Sequence, residues 1–389
     1  QLKGAQSIQK EVGIATAAVG KITDPHFAEK ILQENGATLI FIGRAFLNNP
    51  HWPYMAADVL ANEKTFKYPN QYDWCIGWKG FDKWRKDNRI VVSPMCQYSC
   101  EDGIVNDWHL VNYGSFATGG AGLVVVEATG VEARGRISPG CPGLWKDEQI
   151  NPWKRVTSFL KSQGCVAGIQ IAHAGRKAST VPPWVGRDSI DDKEGGWPTI
   201  GASAIEFGDR VWKVPKEATI EDIEGIKRSF VSASERAVRA GFEVIEFHFA
   251  HGYLVSTFLS PITNQRTDKY GGSLENRMRL GLEIAESVRK TLPQNIVIGA
   301  RVSVTDYVEN GWDINQTIEF AKQLKKLGLD FVDCSSGSIV PNVDPLNTNE
   351  VQIKSAAKIQ KEVGIATAAV GKITDPHFAE KILQENGAT

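Results

Sequence analysis

A chain of 389 residues, 42% hydrophobic and 23% charged, can bury a large core and suits one large α/β barrel, commonly a single domain at this length. Its net charge of -1 leaves no basic excess to hold a phosphate backbone, which argues against nucleic acid as a partner. No apolar stretch approaches the roughly 20 residues of a membrane span, and the first residues lack the zones of a secretory signal; the expectation is a cytoplasmic protein with no membrane partner.

In chain order, short β-branched apolar runs alternate with helix-like segments. The strand-like runs are "GIATAAVG" (13–20), "LIFIGRAF" (39–46), "RIVVSPM" (89–95), "GLVVVEATG" (122–130), "VAGIQIAHAG" (166–175), "FEVIEFHF" (242–249), "NIVIGARVS" (295–303) and "DFVDCSSG" (330–337). "GIATAAVG" then returns at 364–371; counted once, it leaves eight strands. Near-continuous hydrophobic runs are expected of parallel strands covered on both faces, so the pattern predicts a (β/α)8 TIM barrel. Between the strands, residues 219–242 read as a helix. Thr219 caps it with Asp222 three residues on, Ile223, Ile226, Phe230, Ala233 and Ala237 form one stripe, and Gly241 stops it.

The recurrence is longer than one strand. Ile8–Thr38 is repeated letter for letter at Ile359–Thr389, and the unit extends back to Gln1–Thr38 against Gln352–Thr389 with only four differences. A solenoid would repeat throughout, whereas here one unit stands at each end of unrelated sequence. That is the pattern of a circle cut open with an overlap. The six cysteines (Cys75, Cys96, Cys100, Cys141, Cys165, Cys334) fit no paired zinc spacing and read as free thiols.

Barrel active sites gather at the C-terminal ends of strands, and there "EVIEFHFAHGYL" (243–254) places His248, His251 and Tyr253. Residues three apart on a regular strand point to opposite faces, so both imidazoles reach one site only if the chain leaves strand geometry after His248, which Gly252 eases. One reading has one functional and one core histidine. A zinc reading lacks a third ligand nearby, and no metal is expected. The third reading has two N–H donors gripping an oxygen on which negative charge develops, with Tyr253 as proton donor.

The stretch "FLSPITNQRTDKYGGSLENR" (258–277), directly after "HFAHGYL", closely resembles the Old Yellow Enzyme family of flavin-dependent ene-reductases. So do "VVSPMCQYS" (91–99), "DWHLVNYGSFATGGAGLVVVEATGV" (107–131), "GIQIAHAGRKA" (168–178), "RVSVTDY" (301–307) and "LIFIGRAFLNNP" (39–50), so that the likeness covers nearly the whole chain. In the family order "RIVVSPM" comes early and "LIFIGRAF" late. Here the order is reversed and residues 71–87 bridge the former ends, so the chain resembles a circular permutation with its sixth helix, seventh strand and seventh helix present twice, at 1–38 and 352–389. Only one copy fits a closed barrel. The C-terminal copy fills it, the N-terminal copy does, or one copy completes a neighbouring subunit, as in a domain-swapped homodimer.

The resemblance implies FMN as cofactor and NADPH as reductant. It assigns the FMN phosphate to the loops after strands seven and eight, with Gly20 or Gly371, Gly43 and Arg44, and Ser336 with Gly337 close by. Gln170 meets the pyrimidine edge of the flavin and Arg301 stabilises negative charge on it; a buried arginine is costly without such an anion. Pro94, Met95 and Ala128 contact the ring, and Cys96, found in the shorter, largely bacterial branch, tunes it. His248 and His251 hold the carbonyl or nitro oxygen of an activated alkene, Tyr253 protonates its α-carbon and Tyr98 packs against it.

Three departures stand out. Where the shorter branch carries an arginine that reaches into a partner's site, residues 71–81 offer only aromatics such as Trp74 or Trp78. The segment before "NRI" is short, which would open the barrel floor, and chain ends beside loop 337–352 would loosen the site's cover. The competing functions are another FMN barrel oxidoreductase, a metal-dependent hydrolase and a catalytically dead, swapped assembly protein.

Overall fold

The computed structural model describes residues 10–11, 17–19, 24–34, 39–41, 89–186, 188–208, 212–341, 343 and 348–389. The chain divides into two units, Gln1–Lys79 and Gly80–Thr389. In the first, strand β1 (Ala17–Val19), helix α1 (Pro25–Gln33) and strand β2 (Leu39–Phe41) form a crossover, with Ala17 paired to Leu39 and Val19 to Phe41 in parallel. Asp24 caps α1 through its Oδ1, which accepts from the Phe27 N–H at 2.7 Å, and Pro25 opens the helix where no amide donor is needed.

The second unit carries the large sheet. Its strands are β3 (Val91–Val92), β4 (Leu123–Gly130), β5 (Val166–Ala172), β8 (Val244–Phe249), β9 (Val297–Ser303), β10 (Phe331–Ser335) and β11 (Ala366–Ala369). Neighbours run in that order, and every pairing is parallel. Two short strands, β6 (Ile200–Gly201) and β7 (Lys216–Glu217), pair separately. Eight strands were expected in one sheet. Among the described residues the large sheet holds seven, with the repeated strand represented by its C-terminal copy, β11 beside β10, while the N-terminal copy, β1, pairs with β2 in the first unit.

Helices alternate with the strands: α2 (Asp107–Thr118), α3 (Ile150–Ser162), α4 (Ile220–Arg239), α5 (Leu254–Leu259), α6 (Leu274–Thr291), α7 (Ile314–Lys326), α8 (Thr348–Val363) and α9 (Pro376–Gln384). None among the described residues is long and apolar enough to cross a membrane. The alternation within β8 explains the layering. Ile245, Phe247 and Phe249 turn to the helices, where Phe247 meets Phe230 of α4 edge-on at 6.3 Å and Phe249 lies 6.4 Å from Phe320 of α7. Glu246 and His248 face the other way, into the sheet's concave side.

The reading of α4 from its cap holds in detail. Asp222 N–H donates to Thr219 Oγ1 at 3.1 Å, Thr219 N–H donates to Asp222 Oδ2 at 3.1 Å, and Ile223, Ile226, Phe230, Ala233 and Ala237 are all buried. Two amide donors that the helix cannot satisfy internally are thus paired. Thr219→Ala is expected to lower unfolding stability by about 1 kcal/mol while leaving flavin content unchanged, as read by urea denaturation and the visible spectrum.

Candidate active site

The strand register sets the floor of the site. Gln170 on β5 pairs with Glu246 on β8, His248 with Arg301 on β9, and Arg301 with Asp333 on β10. All five side chains are buried. Gln170 Nε2 donates to Glu246 Oε1 at 2.7 Å, Arg301 Nε donates to Asp333 Oδ2 at 2.6 Å, and a terminal nitrogen of Arg301 reaches Ser93 Oγ. Glu246 lies 3.9 Å from Arg301. Burial would lower the Arg301 pKa, but Asp333 and then Glu246 outweigh it and hold the guanidinium charged. Burial raises the Glu246 carboxyl, against the pull of Arg301. The sequence argument that Arg301 needs a flavin anion to offset its burial is therefore corrected: Asp333, bonded to the guanidinium, offsets it within the protein.

After His248 the chain leaves strand geometry. His251 adopts φ +61° and Gly252 φ +68°, left-handed backbone that redirects the ring. The imidazoles of His248 and His251 come to 5.1 Å between centroids at 88°, and Tyr253 stands 4.8 Å from His248 at 79°. His248 Nδ1 accepts from the Ala250 N–H at 3.3 Å, which assigns the ring proton to Nε2. His251 is held at its N–H by Ser303 Oγ at 2.9 Å and at Nε2 by Ser335 Oγ at 2.6 Å, so Nδ1 is the ring nitrogen left for a ligand.

Burial, then the charge of His251 and Arg301, pushes the His248 pKa well down; burial, then Arg301 and Lys177, takes His251 to about 3. Both rings are neutral at pH 7. Burial, with Cys96 and Tyr98, raises the Tyr253 pKa, which keeps its proton on the phenol.

On the β3 side, Pro94 and Cys96 are half-buried, Met95 is 40% exposed and Ala128 is buried beside a register shift between Val126 and Thr129. Cys96, Cys100, Cys141, Cys165 and Cys334 are free thiols. Burial, then Cys141 and Glu127, raises the Cys96 pKa. Tyr98, at φ +53°, meets Trp184 edge-on at 5.6 Å.

On the opposite rim, Gly337 (φ +69°) and Gly371 (φ +112°) end the loops after β10 and β11. Gln352 of α8 joins them: its Nε2 donates to Ser336 Oγ at 3.0 Å, and a Cβ on Gly371 would stand 2.3 Å from its Oε1. At φ +112° the backbone of Gly371 favours glycine, and glycine lets a ligand approach the backbone closely. These two loops fit the phosphate end of FMN, and Gln170 with Arg301 the polar edge of its ring. Gly20, Gly43, Arg44, Trp74 and Trp78 lie outside the described residues.

The sequence profile of the NADH:flavin oxidoreductase / NADH oxidase family matches residues 1–63 and 83–389. The chain belongs to this family. FMN is its cofactor and NAD(P)H its reductant, as in the NADH:flavin oxidoreductase / NADH oxidase family at large. An NADH:flavin oxidoreductase of Gibberella zeae is 46% identical over 314 residues, 76% of each chain. The NADPH dehydrogenase of Bacillus subtilis is 43% identical over 306 residues, 77% of this chain and 84% of its own. Among solved structures, the old yellow enzyme homologue of Zymomonas mobilis superposes with a TM-score of 0.64 at 25% identity, over 77% of this chain and 82% of its own. Morphinone reductase in complex with tetrahydroNAD superposes at 0.63 and 26% identity, over 77% and 81%. The barrel expected from the strand pattern is the fold of these relatives.

Sequence reasoning missed Glu246, Asp333, Ser303 and Ser335. Their signal was present as polar residues interrupting apolar strands, since a polar group is buried only where it is paired.

The depressed histidines make acid sensitivity testable. Below about pH 6.5, the ordinary histidine value, the unfolded chain takes up protons that the folded rings refuse, so stability falls with pH. His109, taken down to about 4 by burial, adds to the same trend. His248→Gln/His251→Gln is expected to flatten the decline in urea midpoint between pH 6.5 and 5.0; an unchanged slope would contradict the assignment.

Proposed function

We propose that this family member is an ene-reductase, acting on alkenes conjugated to a carbonyl or nitro group. The observation that carries the reading is the convergence of two neutral imidazoles and one protonated phenol at the end of β8. His248 Nε2–H and His251 Nδ1 would grip the substrate oxygen. Drawing electron density toward that oxygen makes the β-carbon electrophilic, and a buried setting makes each donor worth more than in water. FMN, when bound, would supply the hydride chemistry that links NAD(P)H to the β-carbon. Tyr253 delivers the proton to the α-carbon, so the alkene gains one hydride and one proton and NAD(P)⁺ is released. Tyr98, on the β3 side, would pack against the substrate, and Cys96 would sit close to the flavin.

The reversed order of family segments supports the same chain as a circular permutation, with homodimerisation and exchange of one repeated copy between subunits as part of the proposal. Neither the order nor the exchange alters the chemistry, because the donors all come from β8 and the turn that follows it.

The test is anaerobic reduction of 2-cyclohexenone by NADPH. His248→Ala/His251→Ala is expected to lower kcat/KM by about a hundredfold or more, and Tyr253→Phe to lower kcat by a similar factor. Histidine variants within threefold of the unaltered protein would reject the reading.

A further inference from the structure

Two cations lie beside the histidine pair, and among the described residues no carboxylate is bonded to either. Arg176 and Lys177 belong to a 3-10 turn, Gly175–Lys177, that follows β5. The turn is built from His173. Its Nδ1 accepts from the Gly175 N–H at 3.0 Å, and its carbonyl accepts from the Leu254 N–H, which opens α5, at 3.0 Å. Gly175 has φ +61°, and a Cβ there would stand 2.8 Å from the Leu254 backbone, so the turn is pressed against the residue after Tyr253. Arg176 spends its donors on the carbonyls of Ile205, Glu206 and Ile339.

Lys177 does something different. Its Nζ donates to the His251 carbonyl at 2.8 Å and to the Ser338 carbonyl at 3.0 Å. Those two residues share a property: both are non-glycine residues in left-handed backbone, at φ +61° and +67°. Such conformations are strained and persist only where neighbours hold them. The two carbonyls belong to different loops, one carrying the ligand-gripping imidazole and one continuing from Ser336 and Gly337. The loops touch, since a Cβ on Gly252 would stand 2.4 Å from the Ser338 oxygen. The ammonium also lies 3.8 Å from the Phe207 ring centroid and 5.4 Å from that of Tyr253.

We propose that Lys177 is a positioning residue for the oxygen grip: by tying the carbonyl of His251 to that of Ser338, it holds the His251 imidazole against His248. The proposal rests on the ene-reductase reading of the histidine pair and adds to it the residue that keeps the pair together. Without the ammonium, two carbonyls lose a charged donor, and His251 loses the restraint on its backbone. A relaxed, extended His251 would turn its ring to the opposite face from His248. Burial, with Arg176 alongside, lowers the Lys177 pKa to about 7, because the carbonyls and aromatic faces around the ammonium offset its burial only in part.

The experiment titrates p-hydroxybenzaldehyde, whose phenol oxygen stands in for the substrate oxygen, into the oxidised FMN-loaded protein and reads the change in the flavin's visible spectrum. Because the signal is counted per bound flavin, a role in the global fold does not move it. Lys177→Met is expected to keep its FMN and to bind the phenol about tenfold more weakly, with kcat/KM for cyclohexenone falling mainly through KM. Lys177→Arg, which keeps the charge and the donors, is expected to recover affinity to within about threefold of the unaltered protein. A Met variant within twofold of the unaltered affinity would overturn the proposal. So would loss of FMN or of folding in both variants, because that would place Lys177 in the scaffold rather than at the grip. If the unaltered protein itself gives no spectral change, the histidine reading fails and the Lys177 proposal with it, whereas a normal response in both proteins removes Lys177 alone.

Discussion

A β-strand aims only every second residue at one side, yet here two imidazoles three residues apart come together. The conflict is resolved by breaking the strand. His251 and Gly252 take left-handed backbone, Ser303 holds the His251 amide, Ser335 holds its ring, and Tyr253 follows at the start of α5. Several neighbours contact that departure: the serines on β9 and β10, the turn after β5, and the loop at Ser338 packed on Gly252. A regular extension of β8 would keep every hydrogen bond of the sheet and lose the site.

Electrostatics give the arrangement its chemistry. Donors to a developing oxyanion must carry protons without carrying full charge into a dry pocket, and burial together with Arg301 keeps both rings neutral. Arg301 is itself bonded to Asp333, so the floor beneath the site is a paired cation rather than a naked one. The phenol of Tyr253 is kept protonated by the same burial that keeps the imidazoles uncharged. One physical cause, removal from water, thus prepares two kinds of group for the two steps proposed.

Much of this was readable in the amino-acid order. Apolar runs located the strands, Thr219 and Asp222 announced the start of α4, and His-Gly-Tyr after an apolar run marked the rim. What was not readable depends on registers between distant strands. That Arg301 meets Asp333, 32 residues on, follows only from the pairing of β9 with β10, and the reach of Lys177 to His251 only from the turn pressed on Leu254. The repeated segment is a different case. Its two copies are identical through the strand, so no residue preference distinguishes which one pairs with β10; in the structure that place is taken by Ala366–Ala369.

The central claim is that one ligand oxygen is shared by His248 and His251. It is tested most directly by a crystal structure of the FMN-loaded protein with p-hydroxybenzaldehyde bound. The account predicts the phenol oxygen at about 3 Å from His248 Nε2 and from His251 Nδ1 together. An oxygen bonded to neither ring, or to one while the other turns away, would contradict it.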